Sequence, residues 1–182
     1  MWYVIQTLSG KEEETANMIR KTVSSYYIEE CFVPKRERLK KFHGIWHKEE
    51  EILFQGYVFT VSKRPKELYQ ELKYIPRLTK ILGKEGQYFY SLSEKDERIV
   101  RGIGDKMHKT SLSKIEVEEG KKIQVIEGPL KDYVGDMVKV NLHKREVVVR
   151  VEFMGRTMEL KMGIEMVKRR RDAILDRSND HD

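Results

Sequence analysis

Three stretches carry residue types that can do chemistry. His43 and His47 stand four apart, a spacing that would put two imidazoles on one side of a helix, as a zinc site needs. Gly44 and Trp46 between them argue for a turn instead, and two ligands on an exposed tip fall short of a zinc set. "GIGDKMHKT", residues 102–110, has the glycines and Lys-Thr pair of a phosphate loop. His108 stands where that loop needs glycine before Lys-Thr, and the glycines follow a helical pattern rather than a strand. Cys31 is the one cysteine. It has no disulfide partner and lies in an apolar run beside Phe32, so it reads as a core thiol of a reducing compartment. No nucleophile, base and acid pattern is legible. An enzyme is not expected, nor a metal, nor a cofactor.

What remains is binding chemistry. The 182-residue chain carries a net charge of +6 and a pI near 9.2, with 39% hydrophobic and 36% charged residues. So modest an excess matters through its distribution. One concentration is "KRERLKKFHGIWHKEEE". Lys35, Arg36, Arg38, Lys40 and Lys41 can meet phosphates, and Trp46 can stack on a base. The competing reading is a solvated arm whose cations pair across to Glu49–Glu51. The second concentration is residues 128–171, with eleven basic residues against six acidic. His143, Lys144 and Arg145 fall on a loop flanked by Lys139 and Arg150. Lys131, Arg156 and Lys161 add to it, and Lys168, Arg169, Arg170 and Arg171 form a basic run. Clustered cations on a small domain make a phosphate footprint, best suited to a bulged or looped RNA hairpin because regular RNA duplexes hide their major-groove edges. For any single lysine, solubility charge is the competing reading. The third feature is apolar: "ILFQGYVF", residues 52–59, is either a core strand or a surface that a partner covers. Strand alternation allows both, one on each face.

These features need elements to carry them. "WYVIQTL" reads as a strand. Ser9 and Glu12 form a capping box for a helix of about fifteen residues that carries Ala16, Ile19, Val23 and Tyr26. "EECFVP" is a second strand. Gly44 turns a protruding hairpin that feeds a central strand over 57–62. Pro65 opens a helix with Leu68, Leu72 and Ile75 on one face. "YIPRLTKILG" turns at Pro76 into a short strand, "QYFYSL" is another, and Ser93 caps a helix that ends near Gly102 and Gly104. The result over residues 1–104 is α+β, a mixed sandwich of the ferredoxin-like kind. Residues 105–117 are polar and weakly periodic and read as a linker. Over 118–168, short alternating runs punctuated by Gly128-Pro129, Gly135, Asn141 and Gly155 predict a small β-barrel. Residues 169–182 read as a basic, partly disordered tail. No stretch is apolar enough for a membrane helix, and no signal peptide is visible. A cytoplasmic monomer is expected.

The order of "WYVIQTLSGKE", "FVPKRE", "FQGYVF", "YIPRLTKILG", "SLSEKDERIV" and "VEEGKKIQVIEGPLKDYVGDMVKV" resembles the NusG family of transcription elongation factors, from residue 2 to about 168. The resemblance implies an N-terminal NGN domain and a C-terminal KOW domain, an SH3-like barrel of five strands. It implies that Phe54, Gln55, Gly56, Tyr57 and Phe59 line an apolar depression for the clamp helices of bacterial RNA polymerase, with Trp2, Gln6 and Ile81 nearby. Gln55 stands where usual members carry proline. The hairpin would lie near non-template DNA, with Arg77 and Lys80 as further phosphate contacts. In housekeeping members an apolar KOW loop tip binds ribosomal protein uS10 or Rho; its match here is Phe153, Met154, Gly155 and Arg156. The basic character of the rest looks more like the LoaP group of specialised paralogues. That resemblance implies processive transcription antitermination triggered by a structured leader RNA. RfaH, another relative, refolds its KOW segment into helices, whereas "VVVRV" favours a permanent barrel. A ribosomal RNA-binding KOW protein is the reading from another class, and it would have no need of the Phe54–Tyr57 segment.

Overall fold

The computed structural model describes residues 1–76, 78, 89–118 and 122–167. The elements of the first half are β1 (Trp2–Gln6), α1 (Glu12–Thr22), β2 (Glu30–Phe32), β3 (Lys35–Phe42), β4 (Ile45–Ile52), β5 (Tyr57–Val61), α2 (Pro65–Lys73), β6 (Phe89–Ser91) and α3 (Glu94–Ile103). Then come β7 (Lys109–Thr110), β8 (Ser113–Val117), β9 (Ile123–Glu127), a short 3-10 segment (Pro129–Asp136), β10 (Met137–Asn141), β11 (Glu146–Phe153) and β12 (Arg156–Met166). This is the expected class: a mixed α/β half followed by a curled five-stranded sheet of order β10-β11-β12-β8-β9.

The N-terminal sheet has the order β2-β5-β1-β6 and is antiparallel throughout. Alternation along its strands sends residues to two different cores. Ile5 and Val58 pack with Ala16 and Ile19 of α1 and Leu68 and Leu72 of α2. Trp2, Val4, Phe32, Tyr57 and Phe59 face the other way. They join Val100 and Ile103 of α3, and then Val147, Val149, Phe153, Leu160 and Ile164 of the C-terminal sheet, in one continuous cluster. The two halves therefore share a core, and apolar area removed from water on both sides holds them together.

Several local expectations give way to specific contacts. Helix α1 spans 11 residues, its N-cap is Lys11 with no side-chain cap, and Tyr26 lies beyond its end. Ser9 and Glu12 form no capping box, because Glu12 is fully buried and turned elsewhere. Residues 105–117, expected as a linker, contain β7, parallel to β3, and β8, which pairs with both β12 and β9. The strand expected after Pro76 lies mostly outside the described residues, as do Arg77, Lys80, Ile81 and Lys168–Arg171. The run "VVVRV" forms β11, with Val147, Val149 and Val151 buried.

Cys31 is 8% exposed, and burial is the main cause that pushes its thiol up to about 12, against a partial pull from Arg20. The reactive thiolate is then scarce at neutral pH. A thiol reagent at pH 8 is expected to modify native protein at least about 100-fold more slowly than urea-unfolded protein, where the thiol returns to its ordinary value near 8.5. Equal rates would contradict the buried placement.

Candidate functional site

The residues expected to line the apolar depression are built on a tight turn. Tyr57 N–H donates to Phe54 O at 3.3 Å, and Gly56 has φ +82. That is the position of a type II turn that favours glycine. Gln55 projects into solvent from it. The turn is held from below. Gly56 N–H donates to the Glu12 carboxylate at 2.6 Å, and Thr7 N–H donates to Gly56 O at 2.8 Å. Phe54 and Phe59 then meet edge to face, with ring centroids 5.5 Å apart. Gln6 pairs with Tyr57, whereas Trp2 pairs with Val61 at the far end of the same strands. Trp2 is buried there between Phe32 and His108, with the Arg101 guanidinium 4.5 Å from its ring. The structure thus brings Phe54, Tyr57 and Phe59 together, sets Gln6 beside them, and places Trp2 farther along the same core, with Phe32 between it and Phe59.

The depression is not open. Phe153, at the tip of the β11–β12 hairpin, is fully buried against it. Its ring centroid lies 5.0 Å from Phe54, 6.3 Å from Phe59 and 6.4 Å from Tyr57. The next residue, Met154, donates its N–H to Asp96 at 2.9 Å. Asp96 is fixed in turn by Ser93, whose hydroxyl donates to its other oxygen at 2.6 Å and accepts from its backbone N–H at 3.1 Å. The first turn of α3 therefore serves as a socket for the tip. The loop expected to meet a foreign partner is seated on the depression expected to meet polymerase.

A second clamp lies at the base of the β3–β4 hairpin. Arg36 is 2% exposed and reaches Glu51 at 2.6 Å and Glu146 at 2.8 Å. Glu146 belongs to the C-terminal sheet, so one guanidinium ties the two halves. Gly163 of β12 passes so close to β3 that a Cβ there would overlap the Glu37 carbonyl oxygen and the Leu112 side chain. Two backbones can approach like this only where one side chain is missing.

The expected DNA contacts divide on this evidence of geometry. Arg36 is corrected outright, since a buried, doubly paired guanidinium cannot meet a phosphate in this arrangement. Lys35 pairs with Glu13 at 2.9 Å, Arg38 with Glu51, and Lys40 with Glu49 at 3.8 Å. Cross-strand pairing, the competing reading, thus takes up most of these cations. Lys41 has no ion pair among the described residues and lies 5.8 Å from the Trp46 ring. His43 and Gly44 both have positive φ and make the hairpin turn; no group of three or more metal-ligating side chains occurs among the described residues.

The expected RNA contacts on the C-terminal sheet are more exposed. Lys139 and Lys161 both stand opposite Val148, so they flank it on one face. Lys131, His143, Lys144 and Arg156 are exposed, and Arg150 pairs with Glu159 at 3.2 Å. Arg145 is half-buried with its guanidinium 5.0 Å from the Trp46 ring, a cation–π contact across the two halves. Sequence reasoning missed Glu12, Asp96 and Glu146 as positioning residues. Asp96, three residues after Ser93, was marked by a capping-box spacing; Glu12 carried the same spacing from Ser9, which pointed to the wrong partner, and Glu146 carries no local signal.

Acid should loosen this region. Burial would raise Glu51 and Glu37, but Arg38 and Arg36 on the first outweigh it, as do the Leu112 N–H and Lys48 and Lys109 on the second, and both carboxyls lie below their usual range. A lowered carboxylate pKa contributes stability that is complete above the ordinary value and is lost as pH falls through the lowered one. The melting temperature is expected to drop below about pH 4, and Glu51→Gln with Glu37→Gln should flatten that drop. An unchanged profile in the double variant would count against these pairings.

Comparison with known proteins agrees with this architecture. A family model described as transcription termination factor NusG matches residues 1–101. The transcription termination/antitermination protein NusG of Pasteurella multocida is 26% identical over 173 residues, covering 92% of this chain and 94% of that one. The corresponding protein of Buchnera aphidicola is 28% identical over 176 residues, covering 92% and 95%. Among solved structures, one on the domain interaction in Thermotoga maritima NusG shares the fold with a TM-score of 0.50, at 23% identity, over 89% of this chain and 92% of that chain. These relatives are transcription factors, not enzymes. No helix among the described residues is long and apolar enough to cross a membrane. With more than half of its length matched by the family model, the chain belongs to the NusG family of transcription factors.

Proposed function

We propose that this factor docks on the clamp helices of bacterial RNA polymerase through Phe54, Gln55, Gly56, Tyr57 and Phe59, and promotes processive antitermination from within the cytoplasmic transcription complex. The observation that carries the reading is the Phe54–Phe59 depression with Phe153 seated in it. Large aromatic rings beside a glycine turn suit a close apolar partner. In the closed arrangement that partner must first displace the hairpin tip, so docking and closure compete for one surface. Recruitment runs through a structured leader RNA held by the exposed cations of the C-terminal sheet, chiefly Lys139, Lys144 and Lys161 with His143. Their clustering on one face supports it. Lys41 at the hairpin tip would meet non-template DNA. The factor acts as a monomer and needs no cofactor.

A second reading is favoured by the character of the relatives, which are termination/antitermination NusG proteins. In it the tip of Phe153, Met154, Gly155 and Arg156 binds uS10 or Rho. That reading also requires the tip to leave the depression. Single-round transcription through a terminator separates the two, on templates with and without the leader of the neighbouring operon. Leader-dependent readthrough that vanishes in Lys144→Ala/Lys161→Ala is the expected result. Equal behaviour on both templates would overturn the leader-RNA reading in favour of the second.

A further inference from the structure

The two basic concentrations of the sequence are expected to serve two different nucleic acids. In the closed arrangement they line one cleft. Arg38, Lys40, Lys41 and Trp46 of the β3–β4 hairpin face His143, Lys144 and Lys161 of the C-terminal sheet across a cavity of about 330 Å³. Five of those side chains are lysines or arginines. The one acid among the lining residues is Glu146, already engaged by Arg36. Lys41, Lys144 and Lys161 form no ion pair among the described residues, so their charge is available. Trp46 closes the cleft with Arg145 and Lys41 packed on its ring. Among the described residues the Arg145 Nη1 is buried without a hydrogen-bond partner. A desolvated guanidinium nitrogen of this kind is costly to leave unmade.

We infer that this interdomain cleft is a single binding site for an unpaired nucleic-acid strand, gripped through its phosphodiester backbone by both halves at once. The chemistry fits a backbone rather than a base code, since the lining offers point charges and few groups that read base edges. A cleft of this volume takes a strand and not a duplex. Because it exists only while the halves are closed, a bound strand favours closure. This inference goes beyond polymerase docking and does not depend on it.

The test is fluorescence anisotropy on the full chain, with labelled RNA and DNA single strands of about ten nucleotides and a matching RNA duplex. One-to-one binding is expected. Lys41→Ala on the hairpin and Lys144→Ala on the sheet should each weaken it about three- to ten-fold and each lower the salt slope by about one. Gly163→Val and Phe153→Asp, which leave every cleft cation in place but part the halves, should weaken it about ten-fold or more. Should neither opening variant fold, the lysine pair still decides. An effect from only one side, full affinity in a folded opening variant, or duplex binding as tight as single strand would overturn the proposal. Preference for RNA or for DNA assigns the natural strand, and either supports the site.

Discussion

Phe153→Ala is expected to separate the two halves while leaving each of them folded. The aromatic rings packed against Phe153 are Phe54, Tyr57 and Phe59, all in the other half. Truncating a buried phenylalanine costs about 3–5 kcal/mol. Here the loss falls on the contact between halves, where it shifts a closed-to-open equilibrium by more than about a hundredfold. Calorimetry should show one cooperative transition for the parent chain and two for the variant, the C-terminal sheet melting apart from the rest. A single transition merely moved to lower temperature would mean that Phe153 supports the fold as a whole rather than the seam.

Removal of Arg36 is the second large effect. The guanidinium is buried, joins Glu51 to Glu146, and leaves its Nη1 without a partner among the described residues. Such a cluster is weak evidence for stability as a unit, but deletion of one member strands the rest. Arg36→Met should therefore destabilise by about 3 kcal/mol, at the low end of the range for buried pairs because Glu51 keeps contact with water and Arg38. The urea midpoint should fall accordingly. Addition of Glu146→Leu should recover most of the loss, since the apolar pair then fills the space without a stranded charge. If the double variant is no better than the single one, the bridge between the halves is not what Arg36 supplies.

The sequence disclosed the elements better than their docking. The central strand expected over 57–62 is β5 (Tyr57–Val61), with Val58 and Phe59 in different cores, whereas residues 53–56 of the apolar run 52–59 form a turn rather than strand. Gly44 marked the hairpin turn, and Ser93 the start of α3. Glu12 misled because a capping-box spacing is local, whereas its true partner is the backbone of Gly56, 44 residues away. Residues 105–117 looked like a linker because β7 and β8 carry polar side chains. Their order comes from backbone pairing with β3, β9 and β12, which leaves little trace in side-chain pattern. The basic hairpin could be read as free or paired, and only the fold decided which cation met which acid: Arg36 meets Glu51 directly opposite, Arg38 and Lys40 reach diagonally to Glu51 and Glu49, and Lys35 turns to Glu13 of α1. The covered depression was illegible for the same reason. Phe54 sits in the connection between β4 and β5 and Phe153 at the tip of the β11–β12 hairpin, and nothing local says that each is the other's lid.

The account rests on that lid, so its most direct test is the affinity of purified core RNA polymerase for the full chain and for Phe153→Ala. Closure hides Phe54, Tyr57 and Phe59, and opening frees them at no cost to the docking residues themselves. The variant is expected to bind about tenfold or more tightly than the parent, approaching the affinity of the open state. Equal or weaker binding by a folded Phe153→Ala chain would contradict the account, either because the depression is not where polymerase docks or because Phe153 does not cover it in solution.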